Sequence, residues 1–493
     1  MDFGVMLILF LIACISYLIM IYGKMLQKRG QLPTGPIPLP IVGNVFQVNN
    51  YNIAKSLMKM SKKYGPVFTL YFGSKPSLIL CGYETMKEAL INQTEQFGGR
   101  GSYPVFDRYT KHNDLGFSNG EKWKELRRFA LQTLRNFGMG KRSIEERIQE
   151  EIQFLLKELR KTNKSPFEPK HIICQSVSNV FCSILFGSRF DYEDKALRNI
   201  ICSIDDNFKL MSSSWGLLYN IYPEIMDYLP GPHRKIMANH LILRHILEDL
   251  IKAHQETLDP DNPRDYIDVF LMKMEKEKNN PASYFCMETL IMTMHTLLYG
   301  GTDTVTTTLE YSILILMKFP EIAEKVQEEI NEVIGQNRPP ATEDRKKMPY
   351  TDAVIHELQR FIDVAPLSLP HLVTMDTQLL GFKIPKDTRV ISVLSSVHYD
   401  PTQYEKPEVF NPANFLDQNG CFKSSDALMV FSAGKRICPG EVLARMEMFL
   451  YFTTLLQNFT FKSLDSRENI DLTPTGGRFL NMPQTFQCCA IPR

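Results

Sequence analysis

The segment Phe431–Gly440, with the sequence FSAGKRICPG, surrounds one cysteine with two glycines, two cations and a proline. Pro439 directly follows Cys438, and the apolar helical pattern of residues 441–459 begins after the last glycine. Because proline is favoured at the first helical position, this order predicts that Cys438 occupies the N-cap of a helix. There, the helix dipole and the free N–H groups stabilise an anion and lower the pKa of a thiol. The segment therefore predicts a thiolate at position 438.

A thiolate of this kind can act as a nucleophile or bind a metal. A nucleophile normally needs a nearby base, and the segment contains no histidine to provide one. The other side chains match the parts of a haem. Gly434 allows the backbone to approach a flat macrocycle, Phe431 can shield the sulfur, and Arg436 can pair with a propionate. These residues favour iron ligation by Cys438.

The segment resembles the cysteine-ligand loop of the cytochrome P-450 superfamily, whose pattern is Phe-x-x-Gly-x-Arg-x-Cys-x-Gly. The fixed positions of that pattern are all matched, by Phe431, Gly434, Arg436, Cys438 and Gly440. The resemblance implies a haem b whose iron takes the Cys438 thiolate as its axial ligand.

The long apolar stretch Met287–Phe319 predicts a helix buried through the centre of the domain. The glycines Gly300 and Gly301, followed by threonines, weaken this helix at its midpoint. A kink, a cofactor lying close or tight helix packing would explain them. The sequence GGTDTV from Gly300 resembles the family's oxygen-activation motif, which implies that Asp303 and Thr304 supply protons when the O–O bond breaks. Val305 departs from the commonest form of that motif and is expected to shape the pocket.

Three further motifs resemble structural and haem-contacting parts of the family. Glu357 and Arg360 are three residues apart, share a helix face and are expected to form an ion pair. In the related segment Phe410–Phe415, Asn414 stands where relatives often have arginine or histidine, which leaves one buried hydrogen bond open. The resemblance also implies contacts to the haem propionates from Trp123, Arg127, Arg100, His371 and Arg436. Taken alone, such residues are more often surface cations or core histidines.

The resemblance places a set of nearly all apolar residues around the substrate, which implies a lipophilic molecule held mainly by shape. Among them, Tyr299 either narrows the space above the iron or offers one hydroxyl. The predicted pocket residues are Tyr103, Val105, Phe106, Phe117, Phe208, Tyr299, Gly300, Ala365, Leu369 and Phe479.

The chain that must position these residues has the composition of a large globular protein. Of 493 residues, 44% are hydrophobic and 23% are charged, with no linker or repeat to divide them. A net charge of +1 gives no global field for nucleic acid, so cationic partner sites must be local. Helical periodicity predicts helices at Ile144–Leu159, His240–His254, Met287–Phe319, Ile322–Ile334 and Tyr350–Ile362. Strands are predicted at Val67–Phe72 and Ser77–Cys81, and a hairpin at Gly381–Val397.

The amino terminus predicts a membrane anchor. Phe3–Tyr22 has no charge and is long enough to cross a bilayer as a helix. Asp2 precedes this run and Lys24, Lys28 and Arg29 follow it, so the positive-inside rule places the bulk of the chain in the cytosol. Prolines at positions 33, 36, 38 and 40 indicate a stiff spacer. We therefore expect an anchor at 1–23, a basic and proline-rich hinge at 24–44 and a haem-thiolate catalytic domain at 45–493.

The resemblance covers essentially the whole chain and is closest to the second family of vertebrate microsomal cytochromes P-450. It implies a mainly α fold with small β-sheets, preceded by the transmembrane helix, at the endoplasmic reticulum membrane. It also implies a monooxygenase that takes electrons from NADPH–cytochrome P-450 reductase, with cytochrome b5 as a further candidate partner. The substrate would be a fatty acid, a steroid or a xenobiotic, and nucleic acid is not expected to bind. A haem-thiolate peroxide isomerase and a non-catalytic haem carrier or sensor are the alternatives.

Two surfaces are predicted to meet partners, although each could instead be an ordinary solvated or buried part of the fold. Aromatic residues interrupted by two prolines in Ser214–Gly231 indicate a second membrane contact. The expected docking face for the reductase consists of Lys122, Lys124, Arg128, Arg135 and Lys435.

Overall fold

The structure is a computed structural model that describes residues 3–30, 32–49, 52–140, 142–475 and 479–493. Helices account for most of these residues, as predicted. They are α1 (Phe3–Arg29), α2 (Ile53–Tyr64), α3 (Tyr83–Met86), α4 (Pro104–Thr110), α5 (Gly120–Asn136), α6 (Arg142–Lys161), α7 (Pro169–Leu185), α8 (Lys195–Ser212), α9 (Ser214–Ile221), α10 (Pro223–Met226), α11 (His233–Thr257), α12 (Tyr266–Lys276), α13 (Met287–Lys318), α14 (Pro320–Val333), α15 (Pro349–Ile362), α16 (Ser395–His398) and α17 (Glu441–Asn458).

The strands form three small sheets. They are β1 (Val67–Phe72), β2 (Lys75–Leu80), β3 (Gly99–Arg100), β4 (His371–Leu372), β5 (Thr377–Leu379), β6 (Phe382–Ile384), β7 (Arg389–Ser392), β8 (Phe459–Ser463) and β9 (Cys488–Pro492). One sheet has the order β1-β2-β7-β4-β3, and β5-β6 and β8-β9 are antiparallel pairs. In the first sheet, Arg100 of β3 pairs directly with His371 of β4. Two predicted haem contacts that are far apart in sequence thus become neighbours.

The predicted hairpin at Gly381–Val397 is wrong. β6 pairs with the preceding strand β5, so the chain turns at Leu380 and Gly381. β7 instead lies between β2, to which it is parallel, and β4. The reason is burial: Val390 and Ile391 of β7 lie in the core, whereas Phe382 and Lys383 of β6 are exposed.

Helix α13 runs through the interior and is buried along nearly all of its 32 residues. Its apolar side chains face neighbours on several sides, including α7, α17 and α11. This confirms the prediction made from its length and its nearly continuous apolar character. Most of the chemically relevant positions lie on this helix or on elements that pack against it.

Helix α1 covers the predicted anchor, and apolar side chains along it, including Phe3 and Ile19, are exposed. Among the described residues, no helix combines the length and the apolar character needed to cross a membrane. Near the end of α1, Met25 is buried, and its carbonyl accepts a hydrogen bond from the Tyr71 hydroxyl at 3.4 Å. Asp2, on which the predicted topology partly rests, lies outside the described residues.

Candidate active site

The Cys438 loop closes by a backbone hydrogen bond from the Cys438 N–H to the carbonyl of Phe431 at 3.0 Å. Helix α17 begins at Glu441 with Gly440 as its N-cap, so the predicted N-cap position of Cys438 is wrong by two residues. The N–H groups of Gly440 and Glu441 nevertheless reach the sulfur and lower its pKa. Enclosure by the surrounding chain outweighs them, because burial raises the pKa of Cys438 above its ordinary value.

Cys438 has accessible surface even though protein atoms enclose it. This accessible surface therefore faces an internal space. Gly434 has a positive φ of 72°, and a β-carbon there would overlap the carbonyl oxygen of Leu90. Glycine is thus required by the close approach of the π-helical segment Lys87–Asn92, a reason different from the predicted approach to a macrocycle. On the other side, the guanidinium of Arg445 lies 5.0 Å from the centroid of the Phe431 ring.

Arg436 and Trp123 lie together beside this loop. The Arg436 guanidinium is 3.8 Å from the centroid of the indole ring, and its Nη2 donates to the Ser118 carbonyl and to the side chain of Asn119. Within the part of the chain that the structure describes, its Nη1 is buried without a hydrogen-bond partner, and so is the indole Nε1 of Trp123. Two buried N–H donors therefore remain unsatisfied by protein.

Three more predicted haem contacts surround this pair. Arg100 donates to the carbonyls of Gly116 and Leu369, and Arg127 donates to the carbonyl of Ile437 at 2.6 Å. His371 Nδ1 lies 2.9 Å from the Phe97 carbonyl, and burial lowers the pKa of His371 to about 3. We call the five residues the cation cradle: Arg100, Trp123, Arg127, His371 and Arg436.

The cation cradle is electrostatically strained. Burial, together with repulsion from neighbouring guanidiniums, lowers the pKa of Arg100 to about 10 and that of Arg436 to about 8. Within the described residues, no carboxylate accepts a hydrogen bond from the guanidiniums of Arg100, Arg127 or Arg436. Buried cations with spare donors fit an anionic ligand, so these residues fit the two propionates of a haem.

The two glycines of α13 have different surroundings. A β-carbon at Gly301 would overlap the ring of Phe181 on α7, which is tight helix packing. A β-carbon at Gly300 would meet nothing within 4 Å, and Gly300 is exposed although α13 is buried. The hydroxyl of Thr304 donates to the Gly300 carbonyl at 2.8 Å and so lies beside this open space. Tight helix packing therefore explains Gly301, whereas Gly300 leaves space that could hold a cofactor.

Asp303 is buried, and the charged residues that act on its carboxylate come from α7 and α8. Within the described residues, neither of its carboxylate oxygens has a hydrogen-bond partner. Its pKa is raised to about 7, mainly by burial and also by the charge of Asp205, with Lys170 and Lys209 opposing the rise. Asp303 can therefore hold or release a proton near neutral pH.

The predicted structural pair is present. Arg360 Nε and Nη2 donate to the two carboxylate oxygens of Glu357, both at 2.7 Å, and neither side chain is exposed. Arg360 Nη1 also donates to the carbonyls of His398 and Pro407. The amide of Asn414 reaches Glu357 at 3.4 Å, which keeps a hydrogen bond at the position that the sequence left open.

Most of the predicted pocket residues come together as a cluster of aromatic rings that we call the aromatic pocket. The rings of Phe106 and Phe117 stack with centroids 4.6 Å apart. The ring centroid of Phe208 lies 5.6 Å from those of both Tyr299 and Phe479. Val105, Ala365 and Leu369 pack in the same core. The aromatic pocket comprises Tyr103, Phe106, Phe117, Phe208, Tyr299 and Phe479.

The sequence did not predict a group of buried polar side chains behind Tyr299. The Tyr299 hydroxyl accepts a hydrogen bond from Asn207 Nδ2 at 2.6 Å and lies 3.3 Å from His240 Nδ1. His240 Nδ1 is 2.9 Å from His295 Nε2, and His295 Nδ1 is 3.1 Å from the Tyr109 hydroxyl. The available signal was His295 itself, a polar residue four positions before Tyr299 on an otherwise apolar helix.

Comparison with known proteins gives the same assignment as the site. The family model described as Cytochrome P450 matches residues 33–490. Cytochrome P450 2F2 of Mus musculus is 56% identical over 461 residues, which cover 94% of each chain. Cytochrome P450 2F2 of Rattus norvegicus is 54% identical, covering 99% of this chain and 98% of that relative. Cytochrome P450 2C11 of Rattus norvegicus is 52% identical, covering 94% and 93%. The chain therefore belongs to the cytochrome P450 family, in its second vertebrate family of haem-thiolate monooxygenases acting on lipophilic substrates.

Proposed function

We propose that Cys438 holds the iron of the haem in this protein and that the cation cradle binds its propionates. The haem would supply the activation of dioxygen for insertion of one oxygen atom into a lipophilic molecule. The observation that supports this proposal most directly is the pair of unsatisfied N–H donors, Trp123 Nε1 and Arg436 Nη1. They lie beside the Cys438 loop, to which Arg127 is joined through the Ile437 carbonyl.

In this proposal, Thr304 and Asp303 handle protons. The Thr304 hydroxyl lies beside the open space at Gly300, where it can orient a water molecule. Asp303 directly precedes Thr304, and its pKa of about 7 suits a group that takes up and releases a proton repeatedly. The charges of the partly exposed ion pair of Lys170 and Asp205, 2.6 Å between charged atoms, act on the Asp303 carboxylate.

The aromatic pocket would hold the substrate. Its described lining is apolar, so recognition depends on shape and buried area rather than on hydrogen bonds. Fatty acids, steroids and xenobiotics all meet this requirement.

We place the electron donors, NADPH–cytochrome P-450 reductase and cytochrome b5, at α5 and the Cys438 loop. Lys124, Arg128, Arg135 and Lys435 are exposed there, although Lys124 and Lys435 also pair with Glu121 and Glu95. Lys122 is only half-exposed and donates to Asn113, so it contributes least. An acidic partner on this face would approach the haem from the thiolate side.

The protein would act at the endoplasmic reticulum membrane with residues 1–23 as its single-pass anchor and the catalytic domain in the cytosol. The apolar exposure of α1 supports attachment, and so does a second exposed surface that includes Ile225 and Tyr228. The Tyr222 hydroxyl donates to the Ile41 carbonyl at 2.6 Å, which ties this surface to the proline-rich spacer. The boundaries 1–23, 24–44 and 45–493 belong to the same proposal. A glycan at Asn92, Asn163 or Asn458 would contradict the cytosolic orientation.

The experiment that tests the proposed ligand replaces Cys438 with serine in the full-length protein. The wild type should give the red-shifted absorption band of a thiolate-ligated, reduced, carbon monoxide-bound haem and consume NADPH with added reductase. Cys438→Ser should lose both. Cys421→Ser, at an exposed cysteine elsewhere, is the matched control and should keep both. A Cys438→Ser protein that retains the band and the turnover would show that another residue binds the iron.

A further inference from the structure

Four helices meet at the buried polar group behind Tyr299. Tyr109 comes from α4, Asn207 from α8, His240 from α11, and His295 and Tyr299 from α13. All but Tyr109, which is half-buried, are classed as buried. We call these five residues the tyrosine–histidine network. Asn239 of α11 extends it by donating to Asn207 Oδ1 at 2.9 Å.

Burial keeps the two histidines of the tyrosine–histidine network neutral. The Tyr109 hydroxyl and His295 Nδ1 share one hydrogen bond, and His295 Nε2 and His240 Nδ1 share another, with the donor in each set by the tautomers of the two rings. Burial lowers the pKa of His295 to about 3 and that of His240 well below its usual value. The aromatic faces also stack, with 3.4 Å between the ring centroids of Tyr109 and His240 and 4.5 Å between those of His295 and Tyr299.

Each helix that supplies a ring to the aromatic pocket from this side also supplies a member of the network. Phe106 is three residues before Tyr109 on α4, and Phe208 directly follows Asn207 on α8. Tyr299 belongs to both groups, since its ring contacts Phe208 and Phe106 while its hydroxyl is bonded behind the pocket. The Tyr299 hydroxyl is therefore hydrogen-bonded to other residues of the protein. Its aromatic ring is the part of the side chain that faces the substrate.

Resting on the proposed haem site and pocket, we propose that the tyrosine–histidine network is a positioning device that fixes the Tyr299 ring as a rigid wall of the aromatic pocket. That wall sets the largest ligand that can approach the iron. A buried ring held only by packing can rotate aside for a bulky ligand. A ring held by two hydrogen bonds and a stacked histidine must first break them in a low-dielectric interior.

The test measures ligand size selectivity in the full-length holoprotein, by titration of the haem absorption band with two azoles. Imidazole reports access to the iron, and 1-tritylimidazole reports room for a bulky group. Tyr299→Phe keeps the ring and removes the tether, and His240→Leu removes the acceptor. Both should lower the ratio of the 1-tritylimidazole Kd to the imidazole Kd by about tenfold. His240→Asn, whose side-chain oxygen can replace Nδ1, should restore most of the wild-type ratio.

Tyr266→Phe is the matched control. Tyr266 is fully buried, and its hydroxyl has no hydrogen-bond partner within the described residues. Its loss should leave the ratio within about twofold of wild type even if the thermal midpoint moves. If His240→Leu does not fold, Tyr299→Phe decides alone.

An unchanged ratio in Tyr299→Phe overturns the proposal, and so does wild-type protein that binds both azoles equally well. These results are distinguishable from failure of the proposed haem site. In every variant the reduced carbon monoxide band reports whether Cys438 still binds the iron.

Discussion

Gly300 and Gly301 are adjacent on α13, yet a β-carbon added to Gly301 would overlap the ring of Phe181, whereas one added to Gly300 would meet nothing within 4 Å. One glycine thus allows α13 to pack closely against α7. The other leaves open space beside the Thr304 hydroxyl. The same residue type serves two different physical purposes at neighbouring positions.

Alanine substitutions at these two glycines should therefore have opposite effects on stability. Gly301→Ala overpacks a buried helix contact and should destabilise the protein by about 1–3 kcal/mol. Gly300→Ala gains helix propensity and should stabilise the fold by up to about 1 kcal/mol while restricting the space above the iron. Chemical unfolding measures the first effect and azole titration the second. Equal destabilisation by both substitutions would contradict this assignment.

Trp123→Phe should weaken haem retention without weakening the fold. The substitution keeps the ring beneath Arg436 and removes only the indole N–H, which has no protein partner. A lost hydrogen bond to a charged carboxylate costs about 1.5–3 kcal/mol, so transfer of haem to apomyoglobin should accelerate at least about tenfold. The chain has two tryptophans, and Trp215→Phe, at the partly exposed Trp215, is the control. Equal transfer rates in both variants would remove Trp123 from the cation cradle.

The pH dependence of stability should report Asp303. Its folded pKa of about 7 exceeds the ordinary value of 3.8, so the folded protein holds this proton more tightly than the unfolded chain does. The stability that this proton contributes is present below about pH 4 and is lost as the pH rises towards 7, by up to about 1.4 kcal/mol per unit. Asp303→Asn does not titrate. In thermal unfolding between pH 4.5 and 7.5, the stability of the variant relative to wild type should increase as the pH rises. Midpoints that change in parallel with pH in the two proteins would refute the assigned pKa.

Arg360→Met should prevent accumulation of folded protein. It leaves the Glu357 carboxylate buried without its partner and removes the donor to the His398 and Pro407 carbonyls, at a cost of about 3–5 kcal/mol. Arg142→Met provides the comparison, because its pair with Glu146 is exposed and contributes less than about 1 kcal/mol. Soluble yield and chemical unfolding measure both. Similar losses in the two variants would mean that burial does not distinguish the pairs.

The double variant Lys124→Glu/Arg128→Glu should raise the KM for the reductase several-fold at low ionic strength. Both side chains are exposed on α5, and reversing them places negative charges against an acidic partner. Added salt should shrink the difference, since it screens exposed charges. Lys252→Glu, at an exposed position on α11, is the control. An unchanged KM would remove α5 from the docking face.

The sequence alone predicted the elements whose stability is local. The spans of α6, α13, α15 and β1 follow from apolar periodicity, which depends on nearby residues. The Cys438 loop and the Glu357–Arg360 pair were also predicted, because each belongs to a sequence motif with fixed spacing. Each of these features needs only residues close together in the chain.

Tertiary structure decided the features that depend on which distant segments meet. β7 joined β2 in parallel instead of forming the predicted hairpin, because its apolar residues are buried against the core. Burial also reversed the expected pKa shift of Cys438, and the backbone of Leu90 supplied the actual reason for Gly434. The tyrosine–histidine network could not be predicted from the sequence. Its members come from four helices, and no local pattern states that Tyr109, His240 and His295 will share one low-dielectric space.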